Sequence, residues 1–432
     1  MLKRKMLRRL VDWKQNKSKD CLLIKGARQT GKTFIVEQFA RETYRYFIEI
    51  NFEENPALKT AFDGELSVDE MLKRLSLLIP GMVFVPGQTL VFLDEIQSCP
   101  QARTSLKFWA QDDRYDVIAS GSLLGVNYKE VSSYPVGYET QVKMFALDFE
   151  EYLWAVGVQP ASIADLKQWF DAPEQIPAAV HDKMMAYLRE YMAVGGMPDA
   201  VNTFLRTGNF NAVHASQQRL IDSYLNDVAK YAPAADKTKA RACYLSVPRQ
   251  LAKENTKFQY SVVEKSGTAR KFANSLDWLR DAGLIQYCFN VSTPQFPLPA
   301  YCKPEQYRIY ATDIGMLIAM YGYEMKAAII NDTLTGPAKG GIYENLIADF
   351  LIKKQIPLYY YRTEDAATEI EFLLTQAVGV IPVEVKANRG PTKSLNKLLG
   401  MAAVHKGYKF TAQNAGANDK KITLPFYLAL FL

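Results

Sequence analysis

Histidine is scarce, cysteine is unpatterned, and no long apolar run occurs anywhere in the 432 residues. Three scattered histidines argue against a histidine-rich zinc site. The five cysteines, Cys21, Cys99, Cys243, Cys288 and Cys302, fall at no metal-binding spacing and form no visible paired framework. Reduced, buried thiols in a cytoplasmic setting are the plain expectation. No stretch approaches the ~20 apolar residues of a membrane span. The segment Met1 to Leu10 is basic and only partly apolar, without the continuous apolar centre of a secretory signal. It fits a helix packed on the following domain, or a basic edge of a nucleic-acid surface, with packing favoured. Dense charge runs are missing too: a net charge of +6 permits an acidic partner without demanding one.

What is present is ample core. Hydrophobic residues make up 48% and charged residues 23%, which excludes a disordered chain, and the length predicts two or three domains.

The most specific stretch is Gly26-Ala27-Arg28-Gln29-Thr30-Gly31-Lys32-Thr33, entered from the apolar run Cys21 to Ile24 and left through a helix that begins near Lys32. It satisfies GxxxxGK[ST] in the strand–loop–helix context that the motif needs. The glycines let backbone N–H groups curl round a phosphate chain, and the helix N-terminus adds its dipole. Lys32 is expected to reach the β- and γ-phosphates of ATP, and the Thr33 hydroxyl to bind Mg²⁺.

Thr89 to Glu95 is an apolar run closed by two carboxylates, as a buried parallel strand ends at a nucleotide site. Asp94 would hold Mg²⁺ and Glu95 would polarise the attacking water, so the pair points to hydrolysis. Between lies a strand from Tyr46 to Phe52. A further strand, Asp116 to Ala119, runs into Ser120-Gly121-Ser122. Ser120 could sense the γ-phosphate or position water, or the three could form a tight turn; both readings stand.

Beyond Ser122 the first domain is expected to close with a strand over Gln141 to Leu147. A helix then opens at Asp148, with Glu151 in the capping-box place. The proline-punctuated Gln159 to Pro177 reads as a linker, and Ala178 to about Asn255 as helical. Phe258 to Asp313 has the pattern of a winged helix, with Thr268 capping a second helix. That helix would carry Arg270, Lys271, Asn274 and Arg280 off its apolar stripe, where DNA could be contacted. A surface helix with solvated charges, or a protein-docking winged helix, fits as well.

The last third carries a second chemical pattern. A helix containing Glu344 precedes three strands, Leu358 to Arg362, Thr368 to Leu374 and Val378 to Lys386. Alternation puts Glu384 and Lys386 on one strand face, where Glu371 and Glu344 could join them. Converging carboxylates bind Mg²⁺ or Mn²⁺, and a lysine can orient water, which is the logic of a PD-(D/E)xK nuclease site. Glu344, Glu371 and Glu384 are thus candidate metal ligands. Glu371, Glu384 and Lys386 are candidate catalytic residues, beside Glu95 and Lys32 at the first site.

With GARQTGKT, LVFLDEIQ, SGS, ALDFEEYL, Gly195-Gly196-Met197-Pro198, IYATDIGML, GGIYEN, YYYRT, EIEFLL and IPVEVK in place, nearly the whole chain resembles a prokaryotic AAA-type ATPase family. Its members end in a restriction-endonuclease-like domain of unassigned function. The resemblance implies an α/β chain in three parts. These are an AAA-like P-loop NTPase domain over 1–158, a helical region with a winged helix over 178–325, and an α/β restriction-endonuclease-like domain over 326–432. Gly137-Tyr138 stands where the family often has Gly-Arg, so no arginine finger transfers to it; Arg103 and Arg114 are candidates by proximity to strand ends. Glu371 replaces a usual aspartate. The readings left open are an ATPase coupled to DNA handling with or without cleavage, a regulatory switch acting on DNA or protein, and a signalling ATPase without nucleic acid. An oligomer is compatible with each.

Overall fold

A computed structural model describes residues 1–16, 20–122, 135–233, 235–253, 257–377, 379–387, 390 and 392–432. The expectations that touch Asn255 and Val378 lie outside the described residues at those positions. The chain divides into two compact units, Lys3–Ala146 and Leu147–Leu432, with Met1–Leu2 counted in the second.

The first unit is built on five parallel strands: β1 (Cys21–Gly26), β2 (Tyr46–Asn51), β3 (Thr89–Asp94), β4 (Asp116–Ser122) and β5 (Glu139–Lys143). Their order is β2-β3-β4-β1-β5, so β4 separates the strand of the glycine-rich loop from the strand that ends in Asp94. Alternation along the strands feeds two cores. Leu23, Ile50, Leu93 and Ala119 pack on α3 (Val68–Leu78) and α4 (Pro100–Asp112). Leu22, Ile24, Phe92 and Ile118 pack on α1 (Lys5–Gln15) and α2 (Lys32–Thr43). Met6, Leu10 and Trp13 are the buried face of α1, so this basic helix packs on the domain. Because β3 is covered on both faces, all six of its residues are buried, which explains its uninterrupted apolar sequence.

Two expectations fail here. Strand β4 continues through Ser122, so Ser120 lies within a strand and not in a turn. Strand β5 ends at Lys143, four residues before the expected Leu147, although the Met144 N–H still reaches the Lys25 carbonyl at 2.7 Å.

The second unit opens with α5 (Phe149–Ala155), whose capping box of Asp148 and Glu151 is present in full. The expected linker is instead α6 (Pro160–Asp171), which buries Ile163 and Leu166. Pro160 occupies the first helical position, where no N–H is needed, and Pro173 follows the end; the prolines bracket a helix. Helices α7 (Ala178–Val194), α8 (Pro198–Thr207), α9 (Phe210–Tyr231), α10 (Lys237–Leu251), α11 (Tyr260–Val263) and α12 (Ala269–Asp281) follow. Then come β6 (Ile285–Val291), β7 (Cys302–Ala311), α13 (Ile314–Tyr321), α14 (Tyr323–Ile330) and α15 (Pro337–Lys353). The remainder is β8 (Tyr359–Arg362), β9 (Glu369–Ile370), β10 (Phe372–Gln376), β11 (Gly379–Lys386), α16 (Lys393–Leu399), β12 (Gly407–Thr411), β13 (Gly416–Asn418) and β14 (Lys421–Pro425).

One sheet has the order β10-β11-β12-β14-β13, the other β7-β6-β8-β9. The second sheet joins the hairpin β6–β7 to β8 through parallel pairing of Phe289 to Val291 with Tyr359 to Tyr361. A boundary near residue 326 is therefore crossed by a continuous sheet. Strands β6 and β7, which fall within the expected winged helix, are thus tied into the C-terminal part of the chain.

A buried polar centre fixes the start of this unit. The Leu147 N–H donates to the Gly196 carbonyl at 2.7 Å, and the Gly196 N–H donates to Asp313 Oδ2 at 2.8 Å. The Leu147 carbonyl accepts from Tyr191 Oη at 3.1 Å and Lys353 Nζ at 3.0 Å. Lys353 also pairs with Asp349 at 2.8 Å and Asp313 at 3.3 Å. A Cβ on Gly196 would stand 2.0 Å from the Leu147 oxygen, so the turn requires glycine for close approach.

Candidate functional site

The glycine-rich loop leaves β1 at Gly26, where a Cβ would come within 2.4 Å of the Met144 carbonyl oxygen. The backbone turns through left-handed conformations at Gln29 (φ 61°) and Gly31 (φ 90°), and α2 begins at Lys32. Thr30 Oγ1 closes the loop on the Ala27 carbonyl at 3.0 Å, and Arg4 Nη1 donates to the Thr30 carbonyl at 3.0 Å. Buried Lys32 sends its ammonium to the Gly26 carbonyl at 3.2 Å and the Ala27 carbonyl at 3.0 Å. Its pKa is lowered by burial, with Glu95 and Asp94 opposing. Arg28 lies 4.0 Å from Glu53.

Facing this loop, Asp94 is 2% exposed and saturated with donors. Thr33 Oγ1 donates to Oδ2 at 2.9 Å, Asn51 Nδ2 approaches the same oxygen at 3.4 Å, and the Glu95 N–H donates to Oδ1 at 3.0 Å. Ser120 Oγ donates to Oδ1 as well. This makes Ser120 a partner of the carboxylate, while the two sequence readings looked to the γ-phosphate or to a turn.

Glu95 follows in a left-handed conformation, φ 51° and ψ 45°, which is sparsely populated for a residue with a Cβ. Its Oε2 accepts from Gln97 Nε2. Burial raises the Glu95 pKa, and the Gln97 hydrogen bond acts against that rise.

The residues fit both groups they were expected to hold. Thr33 and Asp94 present hard oxygens side by side, as Mg²⁺ requires, and Lys32 rests on carbonyls that a phosphate would replace. Sequence reasoning missed Asn51 and Gln97. Asn51 was findable as the last residue of a strand adjoining the Asp94 strand. The Gln97 hydrogen bond to Glu95 depends on the turn at Glu95, which nothing in the sequence marks. Both candidate fingers already hold carboxylates. Arg103 is buried against Glu139 at 2.9 Å, and Arg114 pairs with Asp112 and Asp69 just before β4 begins.

In the second unit the four nuclease-like residues are divided. Glu371 sits at the break between β9 and β10, and its Oε2 accepts the Val385 N–H at 3.1 Å. Lys386 Nζ lies 3.5 Å from Glu371 Oε1 and 3.4 Å from Glu384 Oε1. Burial pushes Glu371 up to about 7, with Lys386 opposing. Glu344, by contrast, belongs to Arg308, whose Nη1 lies 2.6 Å away, and to the Tyr310 hydroxyl. Arg308 is itself buried and also holds Glu369.

Among the described residues, no group of three or more His, Cys, Asp or Glu is placed to hold a metal ion. Glu344, Glu371 and Glu384 are thus not placed as a metal-holding set: Glu344 still acts on Glu371 through its charge, but its oxygen is taken by buried Arg308 and by Tyr310. Arg308 lies in β7, within the run Tyr307 to Ala311 that is buried at every position, so its charge needs a partner.

The supposed recognition helix is α12. Arg270 and Asn274 are exposed on it. Lys271 is paired with Glu264 at 2.6 Å, and Arg280 with Asp277 and Asp281 at 3.0 Å each. Two of its three cations are thus neutralised locally. Among the described residues, no helix is long and apolar enough to cross a membrane.

A parallel sheet with a strand inserted between a phosphate loop and an acidic strand end, and with Lys32, Thr33 and Asp94 gathered at one edge, defines a P-loop NTPase domain. Residues 18–153 match the family model described as an AAA domain, so the chain carries an AAA-type ATPase domain and is an ATPase. Residues 185–327 match a domain of unknown function (DUF8612), and residues 339–427 a second one (DUF4143).

No curated protein matches with significance. Among solved structures, the chain is similar to the Walker-type ATPase PABY2304 of Pyrococcus abyssi. The two share 15% identity over 74% of this chain and 96% of that one, with a TM-score of 0.43. It is also similar to the Aeropyrum pernix ORC1 protein, solved in complex with DNA, at 13% identity over 76% and 94% with a TM-score of 0.31. C. elegans PCH-2 aligns at 15% identity over 50% and 66%, with a TM-score of 0.27.

Proposed function

We propose that the first unit hydrolyses ATP with Mg²⁺ and that its nucleotide state is coupled to the handling of DNA. One observation carries the hydrolytic part. Asp94 takes the Thr33 hydroxyl while the next residue, Glu95, in a left-handed backbone, keeps its carboxylate within electrostatic reach of both Asp94 and Lys32. Thr33 and Asp94 would hold the cation, which supplies positive charge to the β- and γ-phosphates. Lys32 binds phosphate oxygens, the Gly26–Thr33 backbone N–H groups orient the chain, and Glu95 takes the proton of the attacking water. A Glu95→Gln variant is expected to bind ATP normally and to lose turnover. Turnover at the wild-type rate would refute the assignment.

For the second unit, cleavage of DNA and non-catalytic binding are the two readings. The proximity of Glu371, Glu384 and Lys386 supports a nuclease-like centre using Mg²⁺ or Mn²⁺. The engagement of Glu344 by Arg308 favours the alternative, a regulatory switch that binds DNA or a protein partner through a non-catalytic nuclease-like module. Plasmid and branched DNA incubated with Mg²⁺ or Mn²⁺, with and without ATP, separate them. Products that disappear in Lys386→Ala establish a nuclease. DNA-stimulated ATP turnover without products leaves a DNA-binding switch, and neither result points to a protein partner.

A further inference from the structure

The hydrolytic base has a companion. We infer that Gln97 is a positioning residue for Glu95, fixing the carboxylate in the orientation needed to activate water; this rests on the ATPase reading above. Glu95 has no regular secondary structure to hold it. Its backbone is left-handed, its N–H is spent on Asp94, and it precedes a single 3-10 turn, Ile96–Ser98. The described side-chain hydrogen bond that fixes its carboxylate comes from Gln97 Nε2.

The turn itself brings Gln97 back onto Glu95. The Ser98 N–H donates to the Glu95 carbonyl at 2.9 Å and the Cys99 N–H to the Ile96 carbonyl at 3.0 Å, while Ile96 is anchored in the core. The other end of the Gln97 amide, Oε1, is buried and has no hydrogen-bond partner among the described residues. A buried carbonyl oxygen left open beside a base is an acceptor in want of a donor. The amide therefore holds the base by its NH₂, while its buried oxygen leaves Gln97 no competing hydrogen bond among the described residues to draw it off Glu95. The Gln97 role is distinct from that of Asn51, which addresses Asp94.

The test compares Gln97→Met, Gln97→Glu and Glu95→Gln with the wild-type chain, measuring ATP affinity by equilibrium binding and ATPase kcat and KM. Methionine keeps the length and volume of glutamine without its donor or acceptor, so a residue that merely packs would be replaced without loss. We expect Gln97→Met to lower kcat by roughly ten- to a hundred-fold, the range for a misoriented catalytic group, with KM and ATP affinity held within about twofold. Gln97→Glu, which sets a second carboxylate against the first, should fall at least as far. A Gln97→Met enzyme with wild-type kcat would overturn the inference while leaving the ATPase assignment intact. A Glu95→Gln enzyme with wild-type kcat would instead overturn the parent reading, and this one with it.

Discussion

Lys386 is the control residue in the cleavage assay, and replacing it does more than remove a candidate catalytic group. Its ammonium sits between Glu371 and Glu384 at 3.5 and 3.4 Å and is about one-quarter exposed. Glu384 is 1% exposed, and its Oε2 already has no hydrogen-bond partner among the described residues. At such separations each attraction is about 5 kcal/mol gross at an effective dielectric near 20. Most of that is offset by desolvation, and removing one partner of a buried pair costs about 3–5 kcal/mol. Partial exposure of the lysine puts the expectation for Lys386→Met below that range, at about 2–3 kcal/mol at pH 8.

The sign of the pH dependence follows from Glu371. Burial raises its folded pKa to about 7, above the ordinary glutamate range, so the folded state binds a proton that the unfolded state has released. Stability from this group therefore falls as pH rises through about 7. Lys386 works against the shift, so without it the pKa climbs further and the loss deepens toward pH 8. Denaturant unfolding of wild type and Lys386→Met at pH 5.5 and pH 8, followed on the second unit, checks this. Equal destabilisation at both values, or less than about 0.5 kcal/mol at pH 8, would refute the reasoning.

Two further outcomes test the second unit. Gly196→Ala forces a Cβ onto the Leu147 backbone and breaks two buried hydrogen bonds, one of them to Asp313. It should cost about 3–5 kcal/mol in denaturant unfolding, whereas Gly340→Ala, whose added Cβ meets nothing within 4 Å, should be neutral or mildly stabilising. Lys326 is buried against the Ala193 carbonyl and Gln217, and burial lowers its pKa to about 7. Between that value and the ordinary lysine range the unfolded chain holds the extra proton. Stability should therefore rise from pH 7 to 9 in the wild type, with a visibly shallower slope in Lys326→Met.

The first site was legible because its chemistry is local. Eight consecutive residues make the phosphate loop, and the Asp94–Glu95 pair ends a strand whose apolar run announces its burial. What the sequence hid was cross-strand. Ser120 was read as a γ-phosphate or water contact or as a turn residue, and neither reading named Asp94, because that hydrogen bond exists only once β4 lies beside β3. Glu344 looked like a metal ligand because helix period and strand alternation place carboxylates on faces without saying which cation claims them. Arg308, thirty-six positions earlier, claims this one. Prolines at 160, 173 and 177 suggested a linker, yet the first is compatible with a helix start and the others lie beyond its end. The pairing of β6 with β8 across seventy residues of chain was hidden for the same reason.

Leu147 has a consequence for any attempt to separate or exchange the two halves of this chain. Its amide and its carbonyl are both engaged within the second unit, and Phe149 and Tyr152 just after it lie against Tyr191, with Phe149 also stacked on Phe350. The AAA family match runs to residue 153, and the sequence boundary fell at 158, but a cut at either place would carry off the plug of the other half. The remaining fragment would keep Lys353, Asp349 and Tyr191 buried round an empty carbonyl position. The natural seam for grafting a different ATPase onto this C-terminal body is therefore the peptide bond between Ala146 and Leu147, several residues inside the recognisable ATPase sequence.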